Sequence, residues 1–248
     1  MKTKLIAHRG DTKDHPENTL SAFKAALENG ADAIELDVHL TNNGELVVHH
    51  DYYLGNPDDG EGKIYEKDLA YIKGLKIGDA EKIPKLEEVF ELVGDKLQYE
   101  IELKGFTEEF LVKVIALVKK HNLSNVIEFT SPNVYNLTRI KTLEPSFKTG
   151  TFVAALPGWM DKQLGQTLAL NNALLGNINV LHCPISLIDK EFIQTTHGKG
   201  LFIHVADCDT DDDLRAAFGM NVDQLSTNEL GLALSLRKQQ VDYIIESI

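Results

Sequence analysis

Cysteine is nearly absent. Two thiols, Cys183 and Cys208, stand in 248 residues, in separate predicted strands and without the spacing of metal ligands. That excludes a disulfide framework and a thiolate zinc site, and predicts reduced core thiols that fit a cytoplasmic setting. Long apolar runs are missing too: none approaches the roughly 18 residues of a membrane helix, so no integral membrane segment is expected. The N-terminus enters a predicted strand at once, without the apolar region and small-residue cleavage site of an export signal. Basic charge is also short. Lys and Arg number 25 against 38 Asp and Glu, a formal net charge of −13, which opposes nucleic acid or an anionic membrane surface as the main partner. No Pro- or Ser-rich linker and no internal repeat interrupts the chain, so one domain over residues 1–248 is predicted. The oligomeric state is left open.

What is present is an alternation of strand-like and helix-like segments. Strands are predicted at 4–8, 33–40, 97–104, 126–131, 148–153, 180–183, 201–206 and 222–227, and helices at 20–28, 85–93, 108–121, 133–142, 190–197 and 211–218. Asn18 or Thr19 would cap the first helix and Gly30 would end it. With 43% hydrophobic residues and this length, the alternation predicts an α/β fold, a (β/α)8 TIM barrel. Residues 46–50 are excluded from the barrel count, because a connection of five residues is too short for a parallel crossover; they return as an antiparallel flap. Residues 51–83, rich in Gly, Asp and Lys and weakly periodic, read as a small inserted cap or loop after the second strand.

The flap carries chemistry. Asn43-Gly44 between alternating apolar residues signals a two-residue type I′ hairpin, which would pair Asp37 with His50 and set Glu35 on the same side; one extra loop residue would bring in His49 instead. Two more clusters stand out: His8-Arg9-Gly10 at the exit of the first strand, followed by Pro16-Glu17-Asn18-Thr19, and the strand holding Glu100, Glu102 and Lys104 on one face. Tyr52, Tyr53, Tyr65 and Trp159 are open to two readings, as substrate contacts or as loop anchors. His15, His121 and His197 are expected to be solvated, His39 to lie toward the rim, and His182 and His204 to be satisfied core histidines.

In order and approximate spacing, His8-Arg9-Gly10, Pro16 to Thr19, Glu35-Leu36-Asp37-Val38, the Thr41 to Gly44 turn, His50-Asp51 and Glu102-Leu103-Lys104 resemble the glycerophosphodiester phosphodiesterase family, and the likeness extends over nearly the whole chain. The resemblance implies hydrolysis of glycerophosphodiesters, small anionic substrates, to glycerol 3-phosphate and an alcohol, through attack by the substrate's own glycerol hydroxyl and a cyclic phosphate that water opens. It implies one divalent cation on Glu35, Asp37 and Glu102, with Glu100 as a possible addition; an all-carboxylate set suits Mg2+ or Ca2+. His8 and His50 become the acid/base pair, and Arg9 and Lys104 the phosphate-binding cations. The chain departs from the family pattern at His204 to Asp207, at Thr227 to Leu230, and after His50-Asp51, where Tyr52 to Asn56 replaces the usual Arg-Thr-Thr. Two alternatives remain: a phospholipase D-like lyase that stops at the cyclic phosphate, and a barrel that binds phosphodiesters without turnover.

Overall fold

The structure is a computed structural model that describes residues 2–55, 59–78 and 80–246, with side chains as far as 239. In chain order the elements are β1 (Lys4–Ala7), α1 (Leu20–Asn29), β2 (Ala33–Leu40), β3 (Leu46–Val48), β4 (Tyr53–Leu54), β5 (Gly62–Lys63), α2 (Leu69–Gly74), α3 (Leu86–Val93), β6 (Gln98–Leu103), α4 (Glu108–Lys120), β7 (Ile127–Ser131), α5 (Val134–Leu143), β8 (Lys148–Phe152), α6 (Lys162–Leu175), β9 (Val180–Cys183), α7 (Lys190–Gly198), β10 (Phe202–Val205), α8 (Asp211–Met220), β11 (Gln224–Thr227) and α9 (Leu230–Glu246). Two units divide the chain, one of residues 8–129 and one of residues 1–7 with 130–248.

In the first unit β2 runs parallel to β6, with Glu35 opposite Glu100 and Asp37 opposite Glu102. Every residue of β2 from Ala33 to His39 is buried, as expected of a strand covered on both faces. The helix before it is bounded as its sequence requires. Thr19 is the N-cap, accepting from the Ala22 N–H, and Gly30 closes the helix at φ 88°, a conformation open to glycine without steric cost. Asn18 is therefore not the cap; it takes a left-handed φ of 57° and its amide serves elsewhere.

Residues 51–83 are not featureless. They hold β4 paired with β5 and the helix α2, capped by Asp68. Leu54, Ile64, Ile72, Leu75, Ile77 and Ile83 form a small core with Val47 of the flap. Weak periodicity hid this because each element is only one or two turns or a few residues long.

In the second unit β1, β11, β10, β9 and β8 pair in parallel, each with the next, around a core that includes Leu5, Leu137, Leu181, Val205, Leu214, Leu225 and Leu236. Both cysteines are buried and unbridged. His204 is fully buried with its ring nitrogens on Ser226 Oγ at 3.0 Å and Gln224 Nε2 at 3.2 Å, the satisfied core histidine expected. Two long helices go beyond the sequence prediction, α6 and α9. The first escaped because its pattern is inverted: Gly165, Ala169 and Ala173 face the core while leucines face out. A Cβ at Gly165 would meet the tip of the Leu156 side chain, which packs over the helix there.

Candidate functional site

The hairpin that carries the flap differs from prediction by one residue. Leu40 pairs with Leu46 and Val38 with Val48, and the Thr41 N–H donates to Glu45 O at 2.9 Å, leaving a three-residue loop. Only Gly44 of that loop has a positive φ, 81°, so the turn is a three-residue loop ending on a left-handed glycine rather than type I′. The cause lies in side chains: Asn43 Oδ1 is engaged by Thr41 Oγ1 at 2.8 Å and by the Leu69 N–H at 3.1 Å. The register therefore sets His49, not His50, opposite Asp37, and the His49 N–H donates to Asp37 O at 3.0 Å.

The strand nevertheless ends at Val48, and His50 leaves the ladder with a half-buried ring. Its Nδ1 lies 2.7 Å from Asp51 Oδ1. A carboxylate can only accept, so Asp51 fixes the proton on Nδ1 and leaves Nε2 for other work. His50 also acts electrostatically on Asp37 and Glu102, favouring the charged form of each.

Three carboxylates converge. Glu35, Asp37 and Glu102 each bring an oxygen to within 4.8 Å of the others, with Glu35 and Asp37 buried and Glu102 partly open. Lys104 stands between two of them, 3.0 Å from Asp37 Oδ1 and 2.7 Å from Glu102 Oε1. Arg9 anchors the opposite side. Its backbone N–H donates to Glu35 Oε2 at 3.0 Å, its Nη1 meets both oxygens of Glu17 at 2.9 and 3.0 Å, and its Nε lies 3.6 Å from Asp37 Oδ2. His8 Nε2 is 4.0 Å from Glu35 Oε2. Arg9 and Gly10 both have positive φ, 56° and 92°, and a Cβ on Gly10 would come within 2.7 Å of Ala22 Cβ and carbonyl carbon. Glycine here is a demand of close packing.

The electrostatics divide the acids. Burial, then repulsion from Asp37, Glu100 and Glu102, pushes the Glu35 carboxyl well above the usual range, with Arg9 opposing. Burial would raise Asp37 as well, but Lys104, Arg9 and the Asn18 amide overcome it and hold that carboxyl low. Glu102 is raised, first by burial and next by Asp37. Burial disfavours the Lys104 ammonium, yet Asp37 and Glu102 more than offset this and raise its pKa. His39, buried and next to His49, is pushed down to about 3 and stays neutral. A cluster of hard oxygen donors that repel one another fits a small divalent cation, which would relieve that repulsion.

All seven residues selected from the sequence lie in the first unit; Arg9, Glu35, Asp37, Glu102 and Lys104 form one network, with His8 beside Glu35. Three contributors were missed in their present roles: Asn18, bonded to Asp37; Glu17, which holds Arg9; and Asp51, which orients His50. Asn18 and Glu17 sit in the Pro16 to Thr19 motif, and Asp51 adjoins His50, so the motifs did carry the signal. Tyr52 packs edge-on against His39 at 5.3 Å, while Tyr53, Tyr65 and Trp159 are exposed.

The sequence pattern of the glycerophosphoryl diester phosphodiesterase family matches residues 8–232. A glycerophosphodiester phosphodiesterase of Caldanaerobacter subterraneus subsp. tengcongensis is 36% identical over 243 residues, covering 92% of this chain and 95% of that protein. Among solved structures, a phosphodiesterase of Oleispira antarctica in complex with the product sn-glycerol-3-phosphate superposes with a TM-score of 0.81 at 26% identity, over 94% of this chain and 96% of that one. A glycerophosphodiester phosphodiesterase of Thermotoga maritima gives 0.78 at 26%, over 95% and 99%. The fold is accordingly the (β/α)8 barrel expected from the strand–helix alternation.

Proposed function

Because the chain belongs to the glycerophosphoryl diester phosphodiesterase family, and is a phosphodiesterase of that kind, we propose that it hydrolyses glycerophosphodiesters to glycerol 3-phosphate and an alcohol with a divalent cation, Mg2+ or Ca2+, held by Glu35, Asp37 and Glu102. The observation that carries this reading is the approach of those three carboxylates to within 4.8 Å of one another. When bound, the cation would supply charge stabilisation to the phosphoryl oxygens.

The chain's own residues do the rest. Lys104, paired with Asp37 at 3.0 Å and Glu102 at 2.7 Å, has three N–H donors and would offer one to a phosphoryl oxygen. Arg9 is turned toward the same carboxylates and held by Glu17, ready to add a planar charge-assisted contact. His8 and His50 move the protons: one imidazole takes the proton of the attacking glycerol hydroxyl and the other gives one to the departing alcohol, after which water opens the cyclic phosphate with the roles exchanged. Asp51 supports His50 by fixing its tautomer.

The family match runs from residue 8 to 232, which supports one catalytic domain over residues 1–248, with residues 51–83 as a cap. Two buried, unbridged thiols support a reducing, cytoplasmic location; no helix among the described residues is long and apolar enough to cross a membrane.

The test is a panel of glycerophosphodiesters, glycerophosphocholine among them, assayed after chelation and again with Mg2+ or Ca2+ restored. Cation-dependent release of glycerol 3-phosphate is expected. A product that stays a cyclic phosphate by phosphorus NMR would make the protein a lyase, and activity indifferent to chelation would remove the cation from the reading.

A further inference from the structure

Two buried histidines take no part in the chemistry above, and the flap places them side by side. On β2, Glu35, Asp37 and His39 alternate onto one face. The three-residue loop pairs His39 with Val47 and Val38 with Val48, so His49 falls opposite Asp37 and shares its side. His39 and His49 are thus diagonal neighbours across the ladder, 3% and 5% exposed. A two-residue loop would have put His50 at that place. As the chain folds, the His49 N–H is tied to Asp37 O on β2, and His50 leaves the ladder one residue later.

Both rings reach the same peptide. His39 Nε2 lies 3.5 Å from His50 O, and a carbonyl only accepts, so that nitrogen carries the His39 proton. The Asp51 N–H donates to His49 Nδ1 at 3.1 Å. A backbone amide always keeps its proton, so Nδ1 offers its lone pair there and the His49 proton sits on Nε2, although Asp51 O is also 3.2 Å from Nδ1. His50 O and the Asp51 N–H are the two polar groups of one peptide plane, the plane that joins His50 to Asp51. In a trans peptide they point in opposite directions, so the two rings grip the plane from both sides. Histidines present only to fill a core would bond to whatever lay nearest each; these converge. The plane matters because the 2.7 Å bond from His50 Nδ1 to Asp51 Oδ1 closes over it, and the torsions on either side of it set how the two side chains face each other.

We propose that His39 and His49 are positioning residues: together they clamp the His50–Asp51 peptide and so keep the His50 ring and the Asp51 carboxylate aligned. Each acts through His50. The catalytic consequence rests on the reading of His50 as a proton carrier, so the experiment reads the clamp and the rate separately.

Long-range proton–nitrogen NMR correlation of the full chain, at a pH where the rings are neutral, shows which nitrogen of His50 carries the proton, the His50 signals being assigned by their loss in His50→Ala. An unrestrained imidazole prefers the proton on Nε2; His50 held by Asp51 should carry it on Nδ1. His39→Leu and His49→Leu should each return it to Nε2 and lower kcat by about tenfold to a hundredfold, the effect of a misplacement of about 1 Å, with KM and the cation concentration for half-maximal rate within about twofold of wild type. His39→Gln, whose amide nitrogen stands where Nε2 stood, and His49→Asn, whose amide oxygen stands where Nδ1 stood, should keep the tautomer and most of the rate. His39→Asn, too short to reach, should lose both; if circular dichroism shows a leucine variant unfolded, the contrast between Gln and Asn at position 39 decides. In a His50→Ala background, His39→Leu and His49→Leu should lower kcat no further, because residues that act through one group are not additive. A His50 tautomer unmoved by the leucine variants, or by His39→Asn where they do not fold, overturns the clamp. So does a further loss in the His50→Ala background, or a changed cation requirement, which would make the two histidines supports of Asp37. Near-normal rates in His50→Ala would remove His50 from the proton path, and the tautomer would still decide the clamp.

Discussion

Asn18 holds Asp37 by two hydrogen bonds: its Nδ2 donates to Asp37 Oδ2 at 2.9 Å, and its Oδ1 accepts from the Asp37 N–H at 3.3 Å. Asparagine suits the place because it tolerates the left-handed φ of 57° and reaches both groups at once. The grip occupies one carboxylate oxygen and leaves the other facing Lys104. Replacing Asn18 by Ala should lower cation affinity or activity by about 10–100-fold, as loss of a group supporting a ligand does, and cost about 1–3 kcal/mol in stability from the unsatisfied buried N–H. Asn18→Gly separates backbone from side chain. It relieves the left-handed strain yet should share the loss of activity, read as the cation concentration giving half-maximal rate; a fully active Asn18→Gly enzyme would mean that the bonds to Asp37 do not matter.

His8→Ala and His50→Ala should each reduce kcat by about 10²–10⁴-fold, the usual contribution of a positioned proton carrier, without loss of helical signal. Asp51→Asn should fall between these and the wild type, since it weakens the hold on the His50 tautomer without removing the ring. Near-normal steady-state rates in either histidine variant would remove that residue from the proton path.

Gly10→Ala tests the packing of the His8-Arg9-Gly10 turn against α1. The new methyl would have to enter at φ 92° and within 2.7 Å of Ala22, which together should cost about 2–5 kcal/mol. Thermal denaturation should show a Tm lowered by several degrees or more. An unchanged Tm would mean that the turn and the helix can separate at little cost.

The two thiols should be silent in the native protein. Burial pushes Cys183 up to about 12, and burial followed by Asp213, Asp209 and Asp207 does the same for Cys208. Alkylation at mildly alkaline pH should be slow until denaturant is added and then reach both residues. The same shift has a sign for stability: a folded-state pKa above the ordinary value of 9.0 leaves stability intact below about pH 9 and drains it as pH rises toward 12, because the unfolded thiols ionise first. Chemical denaturation measured across that range should show the decline.

Much of the architecture could be read from residue order alone. The alternation of strand-like and helix-like segments located the eight parallel strands, with Ala33–Leu40 and Val180–Cys183 at their observed ends, and Gly30 closed α1 because a left-handed terminus needs no Cβ. Where patterns were short or inverted, reading failed: α2 is too brief for periodicity, and α6 puts small residues inward and leucines outward.

What sequence by itself determined was which chemical groups are available, and in what order along the backbone: charged side chains two residues apart share a face of extended chain whatever surrounds them, so Glu35 with Asp37 and Glu102 with Lys104 were bound to project together. Tertiary structure decided the rest. A side-chain contact from Asn43 to α2 lengthened the flap loop by one residue and exchanged the histidine opposite Asp37, and parallel register between β2 and β6 set Asp37 beside Glu102. Such outcomes depend on contacts between distant segments, whose energies no local pattern records.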